Sequence, residues 1–245
     1  MTTLFLLAHY DDEYCALPLI LQARAAGEEM LFCHTTRPRN PAARQRRQGE
    51  TVAFLSHYGA PPPLDLAADA IAEDGRSYLA LRRLHAALEA LLAEQPSIDR
   101  IVTPAWEGGH VDHDACAVLA VALATARHGG CRIEQFSLYQ GHRLPGPLFH
   151  GGRLLVENGP GIVIPLTAQQ WRSYAAAVRF FPSQAHVWST LWPALHFTWL
   201  RQGYAAQALE HGRVRQRPHR GPLLYERRGL ARYEDVAACV DAFLR

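Results

Sequence analysis

The sequence predicts an α/β fold: a Rossmann-like, mostly parallel sheet with helices on both faces. Three observations carry that reading. Short apolar runs at 3–8, 30–35 and 100–105 have the length and composition of strands buried on both sides. Helical patterns separate them, as the crossovers of a parallel sheet require. Two of the runs lead straight into acidic-histidine clusters, where such sheets place their ligands.

The elements follow in order. Pro18 interrupts the segment after the first run, so a helix over about 15–26 starts near Pro18 or bends there. A helix over 42–58 stops before Gly59-Ala60-Pro61-Pro62-Pro63. Leu81, Leu84, Leu88, Leu91 and Leu92 repeat at helical spacing through 77–94, ending before Pro96. A helix rich in alanine and valine covers 114–126. The second half is less regular, with strands expected at 133–139, 153–157 and 161–165 and a helix from about 168 to 180. Trp188, Trp192, Leu195 and Trp199 recur at helical spacing, although Pro193 stands against a continuous helix. That stripe reads as core or subunit contact. No repeat, low-complexity tract or linker divides the chain, so one domain is expected over 1–245, with the motifs in 1–185 and the region 186–245 packed on that core.

Composition narrows the function. At 245 residues, 49% hydrophobic and 20% charged, the chain has the profile of a soluble enzyme with a substantial core. A net charge of +2 gives no push towards nucleic acid or membrane. All 25 basic residues are arginine, which excludes a P-loop lysine, a Schiff-base lysine and a lysine general base. The 5 cysteines have no C-x-x-C spacing and read as reduced thiols. No basic segment precedes a long apolar stretch and no window approaches a membrane span, so a cytoplasmic location is expected. The tryptophan stripe leaves a homo-oligomer open.

The chemistry lies in Ala8-His9-Tyr10-Asp11-Asp12-Glu13 and Gly108-Gly109-His110-Val111-Asp112-His113. His9 and Asp12 are three apart, as are His110 and His113, a spacing that puts both members on one side of a turn opening into a helix. Together the clusters hold enough imidazole and carboxylate for a metal with an open position, plus spare acid-base groups. Water on such a metal has its pKa lowered to about 7 and becomes hydroxide at neutral pH. The combination reads as a metallohydrolase. Read singly, Asp11 or Asp112 could instead cap the helix that follows.

These motifs resemble the LmbE-like, or PIG-L, family of zinc-dependent de-N-acetylases, whose signature is A-H-P-D-D-E followed by H-P-D-H. The resemblance implies the LmbE-like deacetylase fold, with His9, Asp12 and His113 as metal ligands and Asp11 as the general base. It makes His110 the group that stabilises the tetrahedral intermediate, oriented by Asp112. Arg47-Gln48-Gly49-Glu50 is similar to the family's R-x-G-E helix start, whose arginine contacts the sugar, and Phe181-Pro182-Ser183-Gln184 to its S-Q segment. Tyr10 and Val111 stand where the family has proline, which bears on substrate fit more than on catalysis.

The expected reaction is removal of acetyl from an N-acetylated amino sugar or glycoside, with Zn2+ as cofactor and Fe2+ or Co2+ as possible substitutes. Alternatives are an amidase for a larger acyl group or a thiol conjugate, a binding protein without turnover, and a two-histidine, one-carboxylate iron oxygenase. Arg47, Tyr10 and Trp106 are candidate substrate contacts; Trp106 and Tyr139 could stack on a sugar face, with a core position the plain alternative for both. Glu13 is expected to bond backbone or Arg47, and Glu50 to support its helix by pairing with Arg46 or Arg47. Arg37, Arg39, Arg44, Arg46 and Arg47 either hold an anionic group at the site's rim or form a solvated loop. Arg213, Arg215, Arg217 and Arg220 read as a solvated loop. Of the other histidines, among them His128, only His142 stands out.

Overall fold

The computed structural model describes every residue except 68–69 and 128–129, so His128 lies outside the described residues. In chain order the elements are β1 (Thr2–Leu7), α1 (Asp12–Ala25), β2 (Glu29–His34), β3 (Thr36–Arg37), α2 (Pro41–His57), β4 (Ala72–Glu73), α3 (Leu81–Ala93), β5 (Arg100–Pro104) and α4 (Val111–Ala126). The second half adds β6 (Arg132–Phe136), β7 (Tyr139–Gln140), β8 (His150–Gly151), β9 (Gly161–Ile164), α5 (Ala168–Ala177), α6 (Ala185–Gln202), β10 (Tyr204–Ala208), α7 (Leu224–Arg227) and α8 (Tyr233–Phe243). A 6-stranded sheet in the order β2-β1-β5-β6-β10-β9 forms the centre. The first four of these strands are parallel, and β10 runs antiparallel to both its neighbours.

Strand β1 shows how the pattern makes the layers. Leu4 and Leu6 point to one apolar cluster with α3, α4 and α8, while Phe5 and Leu7 point to a second with α1, α2, α5 and α6. Both faces are covered, so every residue of β1 is buried and the run is apolar rather than alternating. β1 connects to β2 on one side, and the chain then returns to place β5 on its other side. That reversal puts the carboxyl ends of β1 and β5 next to each other, at a switch point of the kind where ligands bind.

Several expectations change. α1 begins at Asp12, inside the first motif, and runs through Pro18 with one ladder hydrogen bond missing. α6 likewise runs through Pro193. Its Trp188, Leu195 and Trp199 are buried against Tyr14 and Phe181, so the stripe is core. No strand forms at 153–157; Leu155 leads into a single 3-10 turn, Val156–Asn158. β10 was not anticipated, because Tyr-Ala-Ala-Gln-Ala carries little strand signal of its own and is held by partners on both sides. Arg213 is buried rather than solvated: its guanidinium donates to the carbonyls of Glu157, Gln216, Arg217 and Pro218 and so organises the segment that follows β10. All five cysteines are unpaired.

Candidate active site

Each motif spans the loop between a strand and a helix. In the first, Asp12 Oδ2 accepts the backbone N–H groups of Ala8 and His9, both at 2.9 Å, which ties the loop to the start of α1. Its other oxygen, Oδ1, lies 3.2 Å from His113 Nε2 on the second motif. His9 Nδ1 lies 3.2 Å from the same nitrogen and 3.8 Å from Asp12 Oδ2. Lone-pair donors from His9, Asp12 and His113 therefore converge. A tetrahedral metal with bonds of about 2.0–2.1 Å places its ligand atoms about 3.3 Å apart, so the set fits a divalent cation.

His9, His110 and Asp112 form a second cluster of ligand types. It is the weaker candidate, because Asp112 is already committed. Its Oδ1 accepts the Ser77 N–H at 3.0 Å and the Ser77 hydroxyl at 2.5 Å, and its Oδ2 accepts the Gly75 N–H at 2.5 Å. Asp112 Oδ2 also lies 3.0 Å from His9 Nε2, the nitrogen that faces away from the converging donors. A carboxylate on the far nitrogen of a ligating imidazole fixes its tautomer and raises its basicity. Asp112 thus orients His9 first. Its carboxylate is 3.6 Å from His110 Nδ1, which instead accepts the backbone N–H of Asp112 at 3.2 Å as the N-cap of α4. With Nδ1 accepting, the imidazole carries its proton on Nε2.

Asp11 occupies the N-cap position of α1 but its side chain makes no cap bond, so the capping alternative fails. Its φ of 119° is a conformation that non-glycine residues rarely adopt. That backbone turns the carboxylate away from the helix end. Arg47 holds it there: Nη2 donates to the Tyr10 carbonyl at 2.9 Å and sits 3.5 Å from Asp11 Oδ1, while Nη1 reaches Asp74 at 3.4 Å. The Gln184 amide lies against the same pair, its oxygen 2.8 Å from Arg47 Nη2 in the orientation that satisfies both ends.

Burial sets the proton affinities. It pushes Asp11 up to about 7, against the opposing pull of Arg47. It also pushes His110 down to about 3, helped by the neighbouring His9. At His9 burial opposes charge, yet hydrogen bonds to Asp112 and Asp12 hold its pKa well above the usual imidazole range. At Asp12 burial is outweighed by His113 and His9, which hold the carboxyl well below its usual range.

Among the other sequence-nominated residues, Glu13 accepts from the Asp11 N–H, His34 and Thr51 and does not reach Arg47. Glu50 accepts the N–H and hydroxyl of Ser183 at 3.0 and 2.6 Å, joining α2 to the S-Q segment instead of bracing its own helix. Trp106 is fully buried in the core and donates its indole N–H to the Gln216 carbonyl, so it offers no face to a sugar. Tyr10 is buried beside His34, with ring centroids 4.8 Å apart. His142 stacks on His219, away from the motifs. The clamp from Gly75 and Ser77 was not anticipated, and no local signal marks residues so far along the chain from Asp112. Tyr139, the other aromatic considered for a sugar face, does lie beside the motifs, its ring 5.6 Å from that of His113.

Residues 4–124 match the family PIG-L, described as GlcNAc-PI de-N-acetylase. The chain carries a PIG-L (LmbE-like) domain. That domain places it among the N-deacetylases. No curated protein sequence matches the chain. Among solved structures, the zinc-inhibited form of teicoplanin deacetylase Orf2 is 16% identical with a TM-score of 0.57, covering 86% of this chain and 99% of that one. N,N'-diacetylchitobiose deacetylase from Pyrococcus horikoshii is 15% identical at 0.54, over 86% and 84%. The 4-carboxy-2-hydroxymuconate hydratase GalB of Pseudomonas putida KT2440 is 16% identical at 0.51, over 85% and 95%. At such identities the likeness is one of fold, and it extends beyond the PIG-L segment. A hydratase shares that fold, so the substrate has to be argued from the residues.

Proposed function

We propose that the chain hydrolyses the N-acetyl amide of an amino sugar or glycoside, with Zn2+ held by His9, Asp12 and His113. A divalent cation there would polarise the amide carbonyl and lower the pKa of water. The protein's own groups do the rest. Asp11 takes a proton from the attacking water and can return it to the departing amine, a role for which a carboxyl near neutrality is suited. His110 donates from Nε2 to the oxygen that gains charge. Arg47, itself braced by Gln184, holds Asp11 in place, and in this reading Arg47 also meets the sugar. The whole of 1–245 acts as one domain in this reading.

The observation that carries the proposal is the pairing of a converged donor triad with two adjacent acid-base groups, neither used as a ligand. Pure metal storage or sugar binding needs no Asp11 in a strained backbone. The test is free-amine release from a panel of N-acetylated amino sugars and glycosides, before and after chelation and with zinc, iron or cobalt restored. Release that falls with chelator and returns with metal is expected. Release unaffected by chelation would remove the metal from the account.

A further inference from the structure

Asp11 is held at its backbone as well as at its carboxylate. Its N–H donates to Glu13 Oε2 at 3.2 Å. Glu13 is fully buried, and its carboxylate draws on two further elements. His34 Nε2, at the end of β2, lies 3.2 Å from the same Oε2, and the Thr51 hydroxyl of α2 donates to Oε1. Both carboxylate oxygens therefore have partners. His34 in turn packs against the ring of Tyr10, the residue before Asp11.

The supports of Asp11 gather on one face of α2. Arg47, Glu50 and Thr51 are spaced i, i+3 and i+4, so they project to the same side of the helix. Arg47 lies 3.5 Å from the Asp11 carboxylate. Glu50 holds Ser183, whose neighbour Gln184 lies against Arg47. Thr51 acts one step further back, through Glu13. One helix thus grips Asp11 at its carboxylate by one route and at its amide by another. The φ of 119° at Asp11 persists only while such contacts hold it. The Glu13 bond fixes the amide, and with it the direction in which the carboxylate leaves the chain.

We propose that Glu13 is a positioning residue for the proton transfer, acting through the Asp11 backbone and set in place by Thr51 and His34. Glu13 touches no reacting atom. It keeps the Asp11 carboxylate aligned with the attacking water, where a misplacement of about 1 Å costs about 100-fold in rate. The proposal rests on the deacetylase reading for its link to turnover, and its structural half is read without turnover.

The experiment changes Thr51, whose hydroxyl bonds Glu13 and not Asp11. Thr51→Val removes that hydroxyl and Thr51→Ser keeps it. In zinc-saturated protein, amide hydrogen exchange followed by NMR should be about tenfold faster at Asp11 in Thr51→Val than in wild type. The Ala8 and His9 amides, which Asp12 holds, should keep their wild-type rates. On the N-acetylated amino sugar that wild type turns over fastest, kcat should fall about tenfold with KM and zinc affinity unchanged. Thr51→Ser should restore both readouts to within about twofold of wild type. A purely structural Thr51 would lower the melting temperature and leave kcat and the Asp11 exchange rate untouched, which would overturn the proposal. Faster exchange at Asp11 with kcat unchanged would overturn it as well. So would faster exchange at Ala8 and His9 with loss of zinc, since Glu13 would then act through Asp12. Faster exchange confined to Asp11, with no sugar turned over by wild type, would keep the Glu13 arm and count against the deacetylase reading. If Thr51→Val does not fold, Glu13→Gln, which leaves one acceptor oxygen for three donors, is read in the same way.

Discussion

The two strand-end loops solve one problem with the same device and put it to different use. In the first, Asp12 from the opening turn of α1 reaches back to the N–H groups of Ala8 and His9. In the second, Asp114 from the opening turn of α4 reaches back to those of Glu107 and Gly108, both at 3.1 Å. Each aspartate satisfies loop donors that would otherwise be buried unpaired, a loss of about 1–3 kcal/mol per group. The spare oxygen separates them. Asp12 Oδ1 faces His113, whereas Asp114 Oδ2 has no partner among the described residues. In the proposed reading one carboxylate is brace and ligand together, and the other is brace alone. Loss of activity on removing Asp12 therefore cannot by itself prove ligation, and Asp114 is the control.

The sharpest way to break the comparison is to remove each in turn. Asp12→Ala should abolish amine release and weaken zinc affinity more than roughly 100-fold, while costing about 2–6 kcal/mol of stability for its two unpaired N–H groups. Asp114→Ala should cost a similar amount, about 2–6 kcal/mol, with zinc affinity kept within about threefold. Calorimetric zinc titration beside urea unfolding reads both. Equal loss of zinc by the two variants would erase the distinction.

Gly109→Ala probes the second loop's packing. A Cβ there would sit 1.9 Å from the Tyr139 carbonyl oxygen, so β7 or the loop must shift. Destabilisation of about 2–3 kcal/mol in urea unfolding is expected, with His110 and His113 displaced and activity reduced. A variant of wild-type stability and rate would show that the loop tolerates movement.

Glu107 gives a pH signature confined to the second loop. It accepts from the Ser137 hydroxyl and the Leu138 and Tyr139 N–H groups, and burial pushes its pKa up to about 7. Its folded pKa lies above its unfolded one. The neutral carboxyl therefore contributes stability that is complete below about pH 4.5 and lost as pH rises through about 7, at most about 3 kcal/mol. Glu107→Gln should flatten that part of the stability profile, read by urea unfolding between pH 4.5 and 8. An unchanged slope would place the titration elsewhere.

What the sequence made legible divides along the same line. β1, β2 and β5 were readable because strands covered on both faces must be apolar throughout, and the motif side chains because their types and spacing serve chemistry. Illegible were the contacts between distant segments. Ser77 on Asp112, Ser183 on Glu50 and Gln184 on Arg47 each join residues that only the folded sheet brings together. The helices through Pro18 and Pro193 were misjudged because burial in a packed layer outweighs one lost hydrogen bond. Trp106 was open to two readings from sequence, and the core won.

The most direct test of the central claim is Asp11→Asn, with bound metal and amine release measured on the same preparation. Asp11 is not a ligand in this account, its side chain makes no helix-cap bond, and asparagine keeps an oxygen for Arg47. Metal content and stability should match wild type while kcat falls about 10²–10⁴-fold. Wild-type turnover by a fully metallated Asp11→Asn protein would contradict the account.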